Sequence, residues 1–295
     1  MANGAIFRGT GVAMITPFDN DGQVYYQQLE SLTDHLIVSG VEYLVVLGTT
    51  AETPTLKHDE KLAIIDTVRK ANGGRVPMIV GAGGNNTESV IDWIREIGSE
   101  GIDAYLSVAP YYNKPSQAGM IQHFSAIAAA SDLPIVLYNV PGRTGSSIQA
   151  ETTLTLAHEF GEKIIGIKEA SGDFNLIMKV LKDKPEQFQV ISGDDAIALP
   201  MVALGGDGVI SVIGNALPAQ FSTMVREALS GNYEAARDLH FNILPFIELI
   251  FREGNPTGVK ALMELMGIVS CNLRLPLIPA TAGLTRDLEK LLPTL

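Results

Sequence analysis

The sequence predicts an α/β fold, a (β/α)8 TIM barrel with a small C-terminal helical extension, and two observations carry that expectation. Eight short apolar runs recur along the 295 residues, at 11–16, 43–47, 78–82, 104–108, 135–139, 164–169, 189–192 and 209–212. Helix-period segments fill the gaps, at 27–38, 59–70, 87–97, 117–130, 152–160, 173–181 and 194–204. Runs rich in β-branched residues, bounded by turn signals, read as parallel strands buried on both faces. Eight such units at roughly 20–35 residue spacing match the about 250 residues a closed barrel takes. A doubly wound open sheet is the alternative fold, and the regularity of the units favours closure.

Taken in order, each strand ends in polar or glycine residues, as a barrel whose site lies at its strand C-termini requires. The first run ends at Thr16-Pro17-Phe18, the second at Gly48-Thr49-Thr50-Ala51-Glu52, the third at Gly81-Ala82-Gly83-Gly84-Asn85. The fourth ends at Pro110-Tyr111-Tyr112-Asn113, the fifth at Tyr138-Asn139-Val140-Pro141-Gly142-Arg143, the sixth at Lys168, the seventh at Ser192-Gly193-Asp194-Asp195. Thr87 and Asp173 are read as N-caps of the helices that follow them. Residues 218–229 supply the eighth helix; 233–250, 256–266 and 284–292 read as further helices. The division expected is a catalytic barrel over 1–230 and a helical extension over 231–295, packed on the barrel because no low-complexity linker separates them.

Composition narrows the function. With 46% hydrophobic residues the chain has material for a sizeable core. A formal charge of -12 and the lack of any basic run argue against nucleic-acid or anionic-membrane partners. The single Cys271 allows no internal disulfide and reads as a small buried hydrophobe. No apolar run reaches membrane-spanning length, and residues 1–10 contain no signal-like apolar stretch, so a cytoplasmic location is expected. The five histidines are scattered without metal-ligand spacing, and no CxxC, GxSxG elbow or complete dinucleotide fingerprint occurs, so no metal and no cofactor is expected. Gly205-Gly206-Asp207-Gly208 leads into a strand and reads as a turn, and Asp194-Asp195 as helix-capping residues.

The candidate chemistry centres on Lys168, which ends the apolar run Ile164-Ile165-Gly166-Ile167. Burying an ammonium is costly, and desolvation favours the neutral amine, a nucleophile toward carbonyls. The competing reading is a strand-end lysine that reaches solvent or pairs with Glu169. Alternation puts Ile164, Gly166 and Lys168 on one face, and Val136 with Tyr138 on the neighbouring strand's matching face. Strands lie about 4.8 Å apart, so the Tyr138 phenol reaches the amine and can trade protons with it. Alone, Tyr138 reads equally well as a core tyrosine. Thr49 and Thr50 offer hydroxyls and loop amides to a carboxylate, although paired threonines also occur in ordinary turns. Arg143 on the same rim reads as a clamp for a second carboxylate or as a solvated surface arginine. Together these groups fit a class I aldolase-type lyase acting on 2-oxo acids.

Five motifs carry a resemblance: Gly48-Thr49-Thr50-Ala51-Glu52, Pro110-Tyr111-Tyr112-Asn113-Lys114-Pro115, Tyr138-Asn139-Val140-Pro141-Gly142-Arg143-Thr144-Gly145, Gly166-Ile167-Lys168-Glu169-Ala170 and Ser192-Gly193-Asp194-Asp195. Across nearly its whole length the chain resembles the dihydrodipicolinate synthase family, within the N-acetylneuraminate lyase superfamily of pyruvate-dependent lyases. The resemblance implies that Lys168 forms a Schiff base with pyruvate and that Tyr138 donates and accepts protons. It implies a relay through Thr49 and Tyr112, the latter lent across a subunit interface. Thr50 and Ile210 fall at pyruvate-binding positions, Gly193 at a substrate-binding one, and Arg143 at the contact to the carboxylate of L-aspartate 4-semialdehyde. A homo-oligomer is implied, either a tetramer built as a dimer of dimers or a dimer. Ala51 replaces the family's usual glycine, a strained choice if that position needs positive φ. In lysine-inhibited relatives an inter-subunit crevice binds the effector. Here Asn85, Tyr111 and His58 are kept, but Lys61 and Ser89 replace a histidine and a glutamate, so feedback inhibition is expected to be weak. Two rival functions stand beside this one: a sister aldolase acting on sugar acids, and a non-catalytic barrel that binds a small acid.

Overall fold

Alternation along each strand sorts its side chains into two cores, one inside the barrel and one beneath the helices. In the computed structural model, which describes residues 6–294, eight strands pair in parallel in sequence order. They are β1 (Gly9–Ala13), β2 (Tyr43–Val46), β3 (Met78–Gly81), β4 (Ala104–Val108), β5 (Ile135–Asn139), β6 (Ile164–Glu169), β7 (Gln189–Ser192) and β8 (Gly208–Ser211). β8 pairs back onto β1 and closes the barrel, as expected. Tyr43, Val45, Ile79, Ala104, Leu106, Val136, Ile191 and Ile210 fill the interior, and Phe7 stacks on Tyr43 at 5.3 Å between ring centroids. Leu44, Val46, Val80, Tyr105, Leu137 and Ile167 face outward into the larger core under the helices. Gly11 makes room for this arrangement, since a Cβ there would sit 2.0 Å from the Tyr43 ring. The opening stretch read for a targeting segment begins with residues 1–5, which lie outside the described residues.

The helices around the barrel are α1 (Tyr26–Val38), α2 (His58–Asn72), α3 (Thr87–Ile97), α4 (Gln117–Ala130), the single turn α5 (Pro141–Thr144), α6 (Ala150–Glu159), α7 (Phe174–Asp183), α8 (Ala198–Ala203) and α9 (Pro218–Leu229). Three more follow, α10 (Tyr233–Arg252), α11 (Thr257–Leu265) and α12 (Ala282–Leu291), and α10 packs on α8, α9, α11 and α12. Among the described residues no helix is long and apolar enough to cross a membrane. Cys271 is buried.

Where the elements differ from the sequence reading, a side chain has taken a backbone group. β1 stops at Ala13 and does not run to Thr16, because the Ile15 amide donates to Asn215 Oδ1 (3.1 Å). β8 stops at Ser211 because the Val212 amide donates to the Asp195 carboxylate (3.0 Å). That same carboxylate accepts from the Ile213 amide (2.9 Å), so Asp195 does not cap a helix and α8 begins only at Ala198. Burial raises the Asp195 carboxyl to about 6, against the pull of these amides. Asp194 keeps a local role, accepting from the Ala196 amide (2.9 Å). The cap of α3 is Asn86, which accepts from the Ser89 amide, while Thr87 begins the helix and bonds His123 Nδ1 (2.9 Å). Asp173 caps α7 as expected, accepting from the Asn175 and Leu176 amides.

The C-terminal helices are tied to the loop after β2 by a buried ion pair. Lys260 of α11, fully buried, donates to Glu52 Oε1 (2.6 Å) and to the Asn272 carbonyl (2.8 Å). The other oxygen of Glu52 accepts from the Arg274 amide (3.0 Å). Both cations lie over the Phe18 ring, Lys260 Nζ at 4.4 Å and Arg274 Cζ at 4.5 Å from its centre. Desolvating both charges is repaid only while both are present. Lys260→Met alone is therefore expected to cost about 3–5 kcal/mol in urea unfolding, by stranding the Glu52 charge. Adding Glu52→Gln is expected to recover more than half of that loss; no recovery would show that packing, not charge, sets the cost.

Candidate active site

The ladder between β5 and β6 sets the site. A register shift at Ile135/Val136 brings Val136 opposite Gly166 and Tyr138 opposite Lys168. Lys168 Nζ consequently sits 4.2 Å from the centre of the Tyr138 ring. Lys168 is only 4% exposed, so its amine does not reach bulk solvent. Glu169 is no partner for it. Successive side chains face opposite ways, and the Glu169 carboxylate accepts from Asn139 Nδ2 (2.9 Å) and the Ser171 amide (2.7 Å). Burial pushes the Glu169 carboxyl above the usual range. Both bland readings of Lys168, solvent-reaching and paired with Glu169, therefore fail.

Space for the lysine is made by Gly193 at the end of β7. A Cβ there would lie 2.6 Å from Ala170 Cβ and 3.0 Å from Lys168 Cε. The Gly193 amide donates to the Glu169 carbonyl (2.7 Å), so the backbone cannot back away. Ile210 lies buried in the barrel interior and pairs with Gly11.

Lys168 opens into an inner cavity of about 230 Å³, shared with Thr49, Thr50, Tyr138, Arg143 and Gly193. An outer vestibule of about 730 Å³ shares Thr49, Tyr138, Arg143 and Asn255 with it and extends to Lys61, Asn85, Ser89 and Trp93. Of the two, only the smaller hollow is lined by Lys168. Thr50 is almost wholly buried, and Thr49 is partly so. Ala51 carries no positive φ: the left-handed residues after β2 are Leu47 (φ 55) and Glu52 (φ 56), the latter in the ion pair to Lys260, and Thr16 Oγ1 donates to the Ala51 carbonyl (2.7 Å). Arg143 stands on the exposed turn α5, facing both hollows.

Tyr112 is the exception among the expected residues. It lines neither hollow, is 89% exposed and carries φ 71, whereas Tyr111 lines the vestibule. The loop that displays Tyr112 is fastened: Asn113 Nδ2 donates to the Asn85 carbonyl (2.9 Å) and Asn85 Nδ2 to the Tyr111 carbonyl (3.2 Å). Within one chain the structure does not bring Tyr112 to Thr49. Of the crevice residues, Lys61, Asn85, Ser89 and Tyr111 line the vestibule, while His58 pairs with Glu96 (2.7 Å).

Sequence reasoning missed Asn255, which lines both hollows and donates from Nδ2 to Thr50 Oγ1 (2.9 Å). Among the described residues no group of three or more histidine, cysteine or acidic side chains is placed to hold a metal ion.

A closed eight-stranded barrel with a buried lysine and a tyrosine at one level of its rim defines a (β/α)8-barrel lyase. The sequence profile of the Dihydrodipicolinate synthetase family matches residues 6–295, and the chain belongs to that family. It is 53% identical over 272 residues to the 4-hydroxy-tetrahydrodipicolinate synthase of Parabacteroides distasonis, covering 92% of this chain and 91% of that protein. The crystal structure of dihydrodipicolinate synthase from Thermotoga maritima superposes with a TM-score of 0.95 at 39% identity, covering 98% of each chain. That of the enzyme from Cyanidioschyzon merolae with lysine bound gives 0.94 at 37% identity over 99% of each.

Gly193→Ala is expected to push the Lys168 side chain off Tyr138. Borohydride trapping of a small 2-oxo acid should slow at least tenfold, a displaced reacting group costing this order. The thermal midpoint should fall only slightly. Undiminished trapping would mean that the lysine finds another path into the cavity.

Proposed function

We propose that the chain condenses pyruvate with L-aspartate 4-semialdehyde, the 4-hydroxy-tetrahydrodipicolinate synthase reaction of lysine and diaminopimelate synthesis. The observation that carries this reading is the enclosed, carboxylate-free amine of Lys168 at 4.2 Å from the Tyr138 ring. Lys168 Nζ attacks the ketone carbon of pyruvate, and loss of water gives the imine. Tyr138 moves the protons, and removal of one from the methyl group gives the enamine. The enamine carbon attacks the aldehyde carbon of the second substrate, whose oxygen takes up a proton. The substrate's own amino group then attacks the imine carbon, closes the ring and frees Lys168.

In this scheme Thr50 holds the pyruvate carboxylate, with Gly193 and the Ile210 backbone completing that subsite. The Arg143 guanidinium, on the outer side of the shared cavity, receives the carboxylate of the semialdehyde. Thr49 passes protons outward, and Tyr112 completes the relay from a second copy of the chain. Its outward display on a fastened loop supports a homo-oligomer, a dimer or a tetramer, and the proposed location is the cytoplasm. A sister sugar-acid aldolase would retain Lys168 and Tyr138 but has no need of Arg143. A pure binder has no use for an enclosed amine.

Reduction with borohydride in the presence of pyruvate should add one pyruvate-derived mass, on the peptide containing Lys168. Label on Lys163 or Lys179 would refute the assignment, and absence of any label would leave a binding barrel. A panel of aldehydes offered with pyruvate should show consumption with L-aspartate 4-semialdehyde above all others.

Weak feedback is the companion expectation. Lys61 lines the vestibule, and Ser89 offers no counter-charge there. Repulsion between two cations at 4 Å is worth about 1 kcal/mol in water and more in a crevice. Initial rates at subsaturating pyruvate should change less than about twofold up to 10 mM L-lysine, that repulsion being about fivefold in affinity at least. Strong inhibition below 1 mM would show that a bound effector draws Lys61 aside.

A further inference from the structure

Thr50 is buried in the lining of the inner cavity, and its hydroxyl has a single partner among the described residues. That partner is Asn255, from the turn between α10 and α11, whose Nδ2 donates to Thr50 Oγ1 at 2.9 Å across 205 residues of sequence. A hydroxyl owns one proton and two lone pairs. Once a lone pair is occupied by an amide N–H, the proton is directed elsewhere, and Thr50 gives it to no acceptor among the described residues. The other end of the amide, Asn255 Oδ1, is buried without a partner among the described residues. An amide half-satisfied in a buried position is unfavourable for stability, and such groups call for an explanation outside packing.

A neighbouring contact holds the pair in register. α11 grips the same loop two residues further on, through Lys260 and Glu52. Asn255 and Lys260 thus reach Thr50 and Glu52 from one side and fix the loop at two points. Nothing else in the inner cavity orients the Thr50 hydroxyl.

We propose that Asn255 is a positioning residue for the 2-oxo acid: by donating to Thr50 Oγ1 it makes Thr50 offer its own proton to the substrate carboxylate. A carboxylate accepts and cannot donate, so a threonine whose proton was already engaged would present it with lone pairs instead. The inference rests on the reading of the inner cavity as the pyruvate subsite.

The test is a double-mutant cycle read in the KM for pyruvate, with borohydride trapping on the unaltered protein as its control. No pyruvate adduct on the unaltered protein overturns the reading of the cavity itself. With that adduct present, Asn255→Ala is expected to raise KM for pyruvate about tenfold, the size of one hydrogen bond to a charged group. The KM for the aldehyde should move less than about twofold, because Arg143 receives that substrate. In the Thr50→Ala background the same change should be nearly silent, since Asn255 acts through the missing hydroxyl. Asn255→Asp keeps the shape but turns the donor into an acceptor. It is expected to harm pyruvate binding more than alanine does, and increasingly as pH rises through the range in which the new carboxyl ionises. A purely structural role predicts the reverse order, because the isostere packs better. Equal losses with and without Thr50, or an Asn255→Asp variant that binds pyruvate normally, would overturn the inference. If the alanine variant does not fold, the isosteric aspartate variant and its pH profile decide alone.

Discussion

Enclosing an amine without an acid beside it is the constraint around which this barrel is arranged. Among the described residues no carboxylate meets Lys168: the nearest in sequence, Glu169, is turned outward and occupied by Asn139 and Ser171. What Lys168 meets instead is an aromatic face at 4.2 Å and the bare backbone of Gly193. A π-face eases a cation without fixing it in a salt bridge. The amine therefore stays available for a carbonyl, while the closed β8–β1 seam and the filled interior below keep water from reaching it from beneath.

The rest of the rim follows from that placement. The β5–β6 register sets the tyrosine, the end of β7 supplies empty space, and the loop after β2 brings hydroxyls to the opposite wall. Carboxylates of small acids need donors and positive charge, and the site has Thr50 within the inner cavity and Arg143 at its edge. The two groups stand at different depths, which suits two acids that must meet end to end above one amine.

Much of this was legible in the chain. Strand period 2 is a steric property of the backbone, so Tyr138, Gly166 and Lys168 could be placed on inward faces from spacing, and eight regular units implied closure. Ile164, expected on the same face, packs in the outer core because the register shift skips a residue between it and Gly166. What stayed hidden was whatever depends on a distant partner. Asp195 reads as a cap because acidic residues before a helix usually are, yet its oxygens serve the amides of Val212 and Ile213. Asn255 lies between Gly254 and Pro256 and looks like turn chemistry; only the folded chain puts it beside Thr50. Ala51 looked a candidate for strain, but the positive φ fell one residue later, on a glutamate whose ion pair holds it there. Tyr112 belongs to a third kind, an exposed residue that the fold of this chain brings to neither hollow.

The clasp between α11 and the loop after β2 also bears on how the protein is made. Glu52 emerges from the ribosome 208 residues before Lys260, and Thr50 leads Asn255 by 205. During synthesis the early strands can pair and bury their apolar faces, but a carboxylate destined for the interior has no cation to meet until the last quarter of the chain arrives. Contacts of such long range are made late, because the intervening loop must be closed first. Any pairing of β5 with β6 before that point would set lysine and tyrosine side by side while the opposite wall still lacked Asn255 and Lys260.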